Sequence, residues 1–351
     1  MKRLSVLIAF LMTIFCLTGC KTAPDSETKN NKNTEISNED SEKKKNDEKN
    51  DEKAEKNNDT NGEAKVGDFI KVDNLKISVM KGPTAISVSP IIYTLGTNLA
   101  VHNTIEEQIA SLKKRESDVY FIPSNLYAKL VNSGMDLKPI YSNVGNAVSL
   151  LGKSKLRDIS ELKGKTIALT GRGAVPEMII TKLLESANIK DDEVNLVFLN
   201  DPSEAASIIE KNENALLLLP EPFASSLTQK IDSLDYALDI NNEWKKAELP
   251  QIITSVIVTY SDTYEERKQD MIKFTSLYNK AVDSLKSEPK NYSKNVEMLN
   301  IAPAEAAEQA IPNIEFLSLT GKPLNDALND FFRVLMETNP ELIGGKLPNE
   351  D

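Results

Sequence analysis

Gly171-Arg172-Gly173 stands between an apolar run, residues 166–169, and an amphipathic stretch, residues 176–187. A glycine-rich turn that opens a helix leaves unpaired N–H groups at the positive end of the helix dipole, a place suited to an oxyanion or a carbonyl oxygen. Three more apolar runs end the same way. Residues 75–80 lead into Lys81-Gly82-Pro83-Thr84, residues 119–122 into Pro123-Ser124-Asn125, and residues 215–219 into Pro220-Glu221-Pro222. Thr84 and Ser124 offer hydroxyls beside helix N–H groups, with Gly82 and Asn125 in the same two turns. Gly171 and Gly173 allow close backbone approach, and Thr170 can add a donor. Arg172 has the fork geometry to clamp a sulfonate or carboxylate, or is an exposed and solvated turn residue. Glu221 could accept hydrogen bonds from an amino group or cap a helix.

Several other chemistries are excluded. Pro176 stands where a dinucleotide fingerprint wants a third glycine, and no Gly-Lys-Ser/Thr ending follows, so the turn is not built for a nucleotide. His102 is the single histidine of the chain and the cysteines are Cys16 and Cys20, so no metal-ligand cluster and no cofactor are expected. A net charge of −11 without basic stripes argues against nucleic acid. An anion bound here would have to be held locally, because the global field repels it.

These turns need strands and helices to aim them. From Lys76 onward short apolar runs alternate with amphipathic stretches. Ile105, Ile109 and Leu112 recur at helical spacing, residues 194–199 read as a strand and residues 203–210 as a helix. Repeated strand–helix units predict α/β layers with mostly parallel sheets, in which ligands lie at the carboxyl ends of the strands. Residues 141–151 and 252–260 both read as strands and bracket about a hundred residues. Running side by side, they would form a two-strand hinge, with residues 73–147 and 255–351 as one lobe and 148–254 as the other.

The first residues address the chain. Lys2 and Arg3 precede an apolar run that ends in Leu17-Thr18-Gly19-Cys20, which resembles the lipobox of bacterial lipoprotein signal peptides. The resemblance implies a signal over residues 1–19, cleavage before Cys20 and lipidation of Cys20. Between Lys21 and Thr60 the apolar residues besides Pro24 are Ala23, Ile36 and Ala54. So polar a stretch cannot offset its ordering entropy, and residues 20–72 are expected to be a disordered tether.

Gly82-Pro83-Thr84, Pro123-Ser124-Asn125-Leu126, Leu162-Lys163-Gly164-Lys165-Thr166-Ile167, the stretch from Thr170 to Glu177 and Pro220-Glu221-Pro222-Phe223 resemble the nitrate/sulfonate/taurine and thiamine-pyrimidine-precursor class of ABC-transporter substrate-binding lipoproteins. Asn242-Glu243-Trp244, Ala310-Ile311-Pro312 and Gly344-Gly345-Lys346-Leu347-Pro348 are similar to a subset of that class common in low-GC Gram-positive bacteria; where the subset often has Gly-Pro-Thr-Gly, this chain has Ala85. The resemblance implies a two-lobed type II periplasmic-binding fold, with no enzymatic activity. It also implies a small organic solute, sulfonate-like or resembling a thiamine-precursor heterocycle, delivered to an ABC permease and ATPase by a monomer anchored outside the cell membrane. Two alternatives stay open on the same fold: a sensory or adhesive lipoprotein, and a thiamine-pyrimidine synthase-like enzyme. The latter consumes a histidine and uses a cysteine-rich iron site, whereas this chain has one histidine, His102, and no free cysteine once Cys20 is lipidated.

Overall fold

The computed structural model describes residues 75–348. The signal, Cys20 and the tether lie outside the described residues. Among the described residues ten strands form two five-stranded mixed sheets. The first contains β1 (Ile77–Met80), β2 (Leu99–His102), β3 (Val119–Pro123), β4 (Leu137–Val144) and β10 (Ser255–Tyr260), in the order β2-β1-β3-β10-β4. The second contains β5 (Val148–Gly152), β6 (Thr166–Thr170), β7 (Asn195–Leu199), β8 (Leu216–Pro220) and β9 (Asp235–Leu238), in the order β7-β6-β8-β5-β9. In each sheet three neighbouring strands run parallel, β2-β1-β3 and β7-β6-β8. The strand entering on a crossover, β10 or β5, is antiparallel to its neighbours.

Both faces of each sheet are covered by helices, which is why the strands read as continuous apolar runs and not as alternating ones. In β3, Phe121 faces the long helix Lys268–Ser287, while Tyr120 and Ile122 face the side covered by the helix Gly321–Thr338. The Phe121 ring meets Tyr278 edge-on at 5.4 Å and Phe274 at 6.3 Å. In the second sheet, Ile167, Leu169 and Leu218 share a cluster with Met178, Ile179 and Leu183 of the helix Val175–Ser186. Ala168, Leu217 and Leu219 share another with Ile209 and Leu227 of the helices Ala205–Lys211 and Phe223–Thr228.

Three readings of the sequence need correction. Residues 141–151 are not one strand. β4 ends at Val144 and β5 begins at Val148 in the other sheet, because the Asn146 side chain folds back onto Val148, accepting from its N–H and donating to its carbonyl oxygen, both at 3.0 Å. A Cβ on the intervening Gly145 would meet the Glu315 carboxylate, which would have to swing aside to admit a side chain. Residues 252–254 are not strand either, although they are pinned beside β4: the Thr254 N–H donates to the Val144 oxygen at 2.9 Å and the Gly145 oxygen at 3.1 Å. Residues 203–210 begin as a short 3-10 turn, Pro202–Glu204, capped by Asp201, before the helix Ala205–Lys211.

Candidate functional site

The four strand ends open helices, or short helical segments, as their glycines, prolines and hydroxyls require. β1 is followed by Pro83–Ser87, β3 by Ser124–Asn132, β6 by Val175–Ser186 and β8 by Phe223–Thr228. Proline at the first or second position of a helix forfeits an N–H that would have no partner in the helix, which suits Pro83 and Pro176. Gly82, Gly171 and Gly173 have φ of +105°, +85° and +67°, a region that side-chain-bearing residues avoid.

Several hydrogen-bond donors at these turns already have acceptors. The Thr84 hydroxyl donates to the Met80 oxygen at 2.5 Å. Ser124 is buried, with its hydroxyl donating to the Ile253 oxygen and its N–H to the Thr254 oxygen at 3.0 Å. Both hydroxyls therefore fasten their turns and keep only lone pairs for anything else. At the turn after β6, the Gly173 N–H donates at 2.5 Å to the Glu177 carboxylate, and the Ala174 N–H donates to the Gly171 oxygen. A side-chain anion thus stands where the sequence suggested an external one. Arg172 turns its guanidinium onto the Phe198 ring, 3.8 Å from the centroid.

Glu221 is 2 % exposed and takes hydrogen bonds from four donors. These are the Ser149 hydroxyl (2.7 Å), the Ser225 hydroxyl (2.7 Å), the Ser225 N–H (3.1 Å) and the Tyr236 hydroxyl (3.1 Å). Of the two roles open to it in the sequence, it caps its helix and ties β5 and β9 to that cap. Burial pushes its pKa up against these four bonds. Asn125 is half-buried and makes no side-chain hydrogen bond among the described residues, and the same holds for Thr170.

Of the lone histidine and tryptophan, Trp244 is buried and donates to the Pro250 oxygen at 2.6 Å, which makes it a packing residue. His102 ends β2, and its Nε2 is buried without a partner among the described residues. Among the described residues no group of three or more His, Cys, Asp or Glu could hold a metal ion, and no helix is long and apolar enough to cross a membrane.

Sequence reasoning missed the groove into which the turn after β6 faces. A cavity of about 510 Å³ is lined by Gly173, Ala174 and Glu177 on the second sheet's side and by Thr338, Asn339 and Leu342 from the C-terminal segment that packs on the first. The Asn339 amide nitrogen lies 4.0 Å from where a Cβ on Gly173 would stand. Asn339-Pro340 was legible as a helix stop: the Asn339 side chain accepts from the Glu341 N–H at 3.1 Å. Its position opposite Gly173 was not legible.

Residues 125–292 match the family model described as NMT1/THI5 like. No curated protein matches the sequence. Among solved structures, an ABC transporter protein from Parabacteroides distasonis is similar at 22 % identity and a TM-score of 0.66, over 78 % of this chain and 96 % of that one. The periplasmic aliphatic sulphonate binding protein SsuA of Escherichia coli is similar at 12 % identity and 0.59, over 78 % and 89 %. The alkanesulfonate-binding protein SsuA of Xanthomonas axonopodis pv. citri, bound to MOPS, is similar at 14 % identity and 0.53, over 78 % and 95 %. The fold is therefore the two-lobed α/β fold of type II periplasmic binding proteins.

Proposed function

We propose that this chain, with its NMT1/THI5-like match and its type II periplasmic-binding fold, is the solute-binding component of an ABC importer. In this reading it has no chemistry of its own. The observation that carries it is the way the chain crosses between its sheets. It crosses twice, at residues 145–147 and 252–254, and the two crossings are hydrogen-bonded to each other. Two paired strands of chain bend more easily than a packed interface, so the lobes can close on a solute and select the closed state by its higher affinity there. Gly145 and Asn146, which no β-ladder holds, are the proposed pivots. Lobe I would then be residues 73–147 and 255–351, and lobe II residues 148–254.

Within this reading the solute meets lobe I at Gly82, Thr84, Ser124 and Asn125, and lobe II at Thr170 and the turn from Gly171 to Gly173. Asn125 and Thr170 carry the side chains with most left to give. Cys20 would be the lipid anchor, placing the receptor on the extracytoplasmic face of the membrane beside a permease and its ATPase. The sulphonate- and alkanesulfonate-binding relatives suggest a small organic solute, with a thiamine-precursor-like heterocycle as the second class.

Native mass spectrometry of the chain beginning at Lys21, purified from cells fed on complex medium, should show a stoichiometric small-molecule adduct. A bare mass under conditions that preserve a control receptor's ligand would count against the proposal. Gly173→Val tests the turn. A β-branched side chain at φ +67° costs roughly 1–2 kcal/mol in the backbone alone, and its methyls would reach Asn339. Solute affinity should fall at least tenfold, with thermal unfolding lowered only a few degrees. Affinity equal to wild type would place the solute away from this turn.

A further inference from the structure

Beyond the two crossings the lobes are joined again, by one carboxylate. Residues 315–319 run along the outer edge of β4. The Gly145 N–H donates to the Glu315 backbone oxygen at 2.7 Å, the Glu315 N–H to the Asn146 oxygen at 2.9 Å and the Leu317 N–H to the Asn143 oxygen at 3.0 Å. The first crossing therefore lies between Thr254 on one side and Glu315 on the other. Asn146 carries both attachments, its main chain bonded to Glu315 and its side chain to Val148 at the start of β5. The half-buried Glu315 side chain then reaches elements of lobe II. One oxygen pairs with the Lys245 ammonium at 3.3 Å, on the helix Ile240–Lys246. The other accepts from the Gln251 side-chain N–H at 3.1 Å, just ahead of the second crossing.

Strand order fixes which side of the pivot this contact occupies. The candidate solute turns follow β1, β3, β6 and β8. In the first sheet β10 and β4 come beyond β3, and residues 315–319 beyond β4. In the second sheet β5 and β9 come beyond β8, and the helix with Lys245 follows β9. Glu315 and Lys245 thus meet on the far side of the crossings from the solute turns. A cavity of about 640 Å³, which Asn146, Tyr236, Asp239 and Asn313 also line, makes this side a groove and not a packed interface. Among the described residues no hydrogen bond or ion pair joins the turns after β1 and β3 to those after β6 and β8.

Rotation about the crossings that brings the solute turns together carries Glu315 and Lys245 apart. We infer that Glu315 sets solute affinity without touching the solute: its bonds to Lys245 and Gln251 hold the lobes open and are given up on closing. Apparent affinity scales with the fraction of protein in the binding-competent state, so removing these bonds raises the closed population and the affinity together. This rests on the solute-receptor reading above and adds what opposes closure.

The test uses the full chain in mild detergent, with one dye on each lobe at the exposed Lys294 and Glu210, attached through keto-bearing residues introduced there. Single-molecule energy transfer is recorded with no solute added, after unfolding and refolding to strip any that is bound. Glu315→Ala removes both bonds and should raise the ratio of closed to open molecules about threefold to tenfold. Lys245→Ala, at an exposed position, removes one bond and should raise it about twofold. The double variant should match Glu315→Ala, because the Lys245 bond is already lost there. Lys153→Ala takes the same charge from a pair within lobe II, with Glu213 at 2.9 Å, and should leave the ratio unchanged. Thermal unfolding of each variant checks folding, and if Glu315→Ala does not fold, Lys245→Ala against Lys153→Ala decides the matter alone. Two populations whose ratio stays at the wild-type value, or moves toward open, would overturn the inference and leave the receptor reading standing. A single separation shared by every variant would overturn the inference and count against the receptor reading as well.

Discussion

Alanine in place of Phe121 lowers the unfolding free energy by about 3–5 kcal/mol, the range for emptying a buried aromatic site. Phe121 is fully buried at the centre of the first sheet, and its ring meets both Phe274 and Tyr278 edge-on. Each such pair contributes about 0.5–1.5 kcal/mol beyond the area it buries. Tyr278 leans on the same ring while its hydroxyl bonds Asn143, so the cavity cannot collapse without breaking that bond. Leucine should recover much of the loss. Urea unfolding followed by fluorescence measures both, and a loss under 1 kcal/mol for alanine would show that the three rings do not act as one packed unit.

Leucine in place of Glu221 costs about 2–4 kcal/mol, because it leaves the Ser149 hydroxyl and the Ser225 N–H in a buried site without their acceptor. Glutamine gives a sharper result through pH. The folded-state pKa of Glu221 is raised, chiefly by burial and against its hydrogen bonds. The folded state therefore binds this proton more tightly than the unfolded chain does. Its contribution to stability is complete below the ordinary carboxylate value of about 4.3 and is lost as pH rises through the folded value. The stability of wild type minus that of Glu221→Gln should fall as pH is raised from about 4, then level off. A difference that is flat or rises with pH would mean that hydrogen bonding, not burial, dominates at this carboxylate.

Much of the fold could be read from apolar runs ended by glycine, proline or a small hydroxyl. β3, β6 and β8 fall within one residue of their expected limits because both faces of their sheets are buried and each run is unbroken. The crossing at residues 145–147 was harder. Val144 and Val148 are both apolar, so the run looks continuous, and only the Gly145-Asn146 pair signals the turn that sends the chain into the other sheet. The turns themselves were legible as helix openings. What the Ser124 hydroxyl bonds to was not, because its acceptor is distant in sequence: Ile253, from the other crossing. The same limit hid the groove, whose far wall comes from Asn339 and Leu342. Glu177 could have been suspected. A glutamate in the first turn after a glycine-rich opening is placed to cap that opening itself, and it lowers the case for an external anion there.

The central claim is that a solute closes the two lobes about the paired crossings. Cys16 and Cys20 are the only cysteines, so a chain beginning at Lys21 can be labelled solely where cysteine is introduced. Lys294→Cys on the helix Pro289–Met298 and Glu210→Cys on the helix Ala205–Lys211 put one dye on each side, both at exposed positions. The most direct measurement is single-molecule energy transfer between them, on protein stripped by unfolding and refolding and then given back the solute it released. The account predicts two populations whose balance moves toward a changed separation with a saturable dependence on solute, and no such shift in Gly173→Val. One unchanging separation at saturating solute would contradict it.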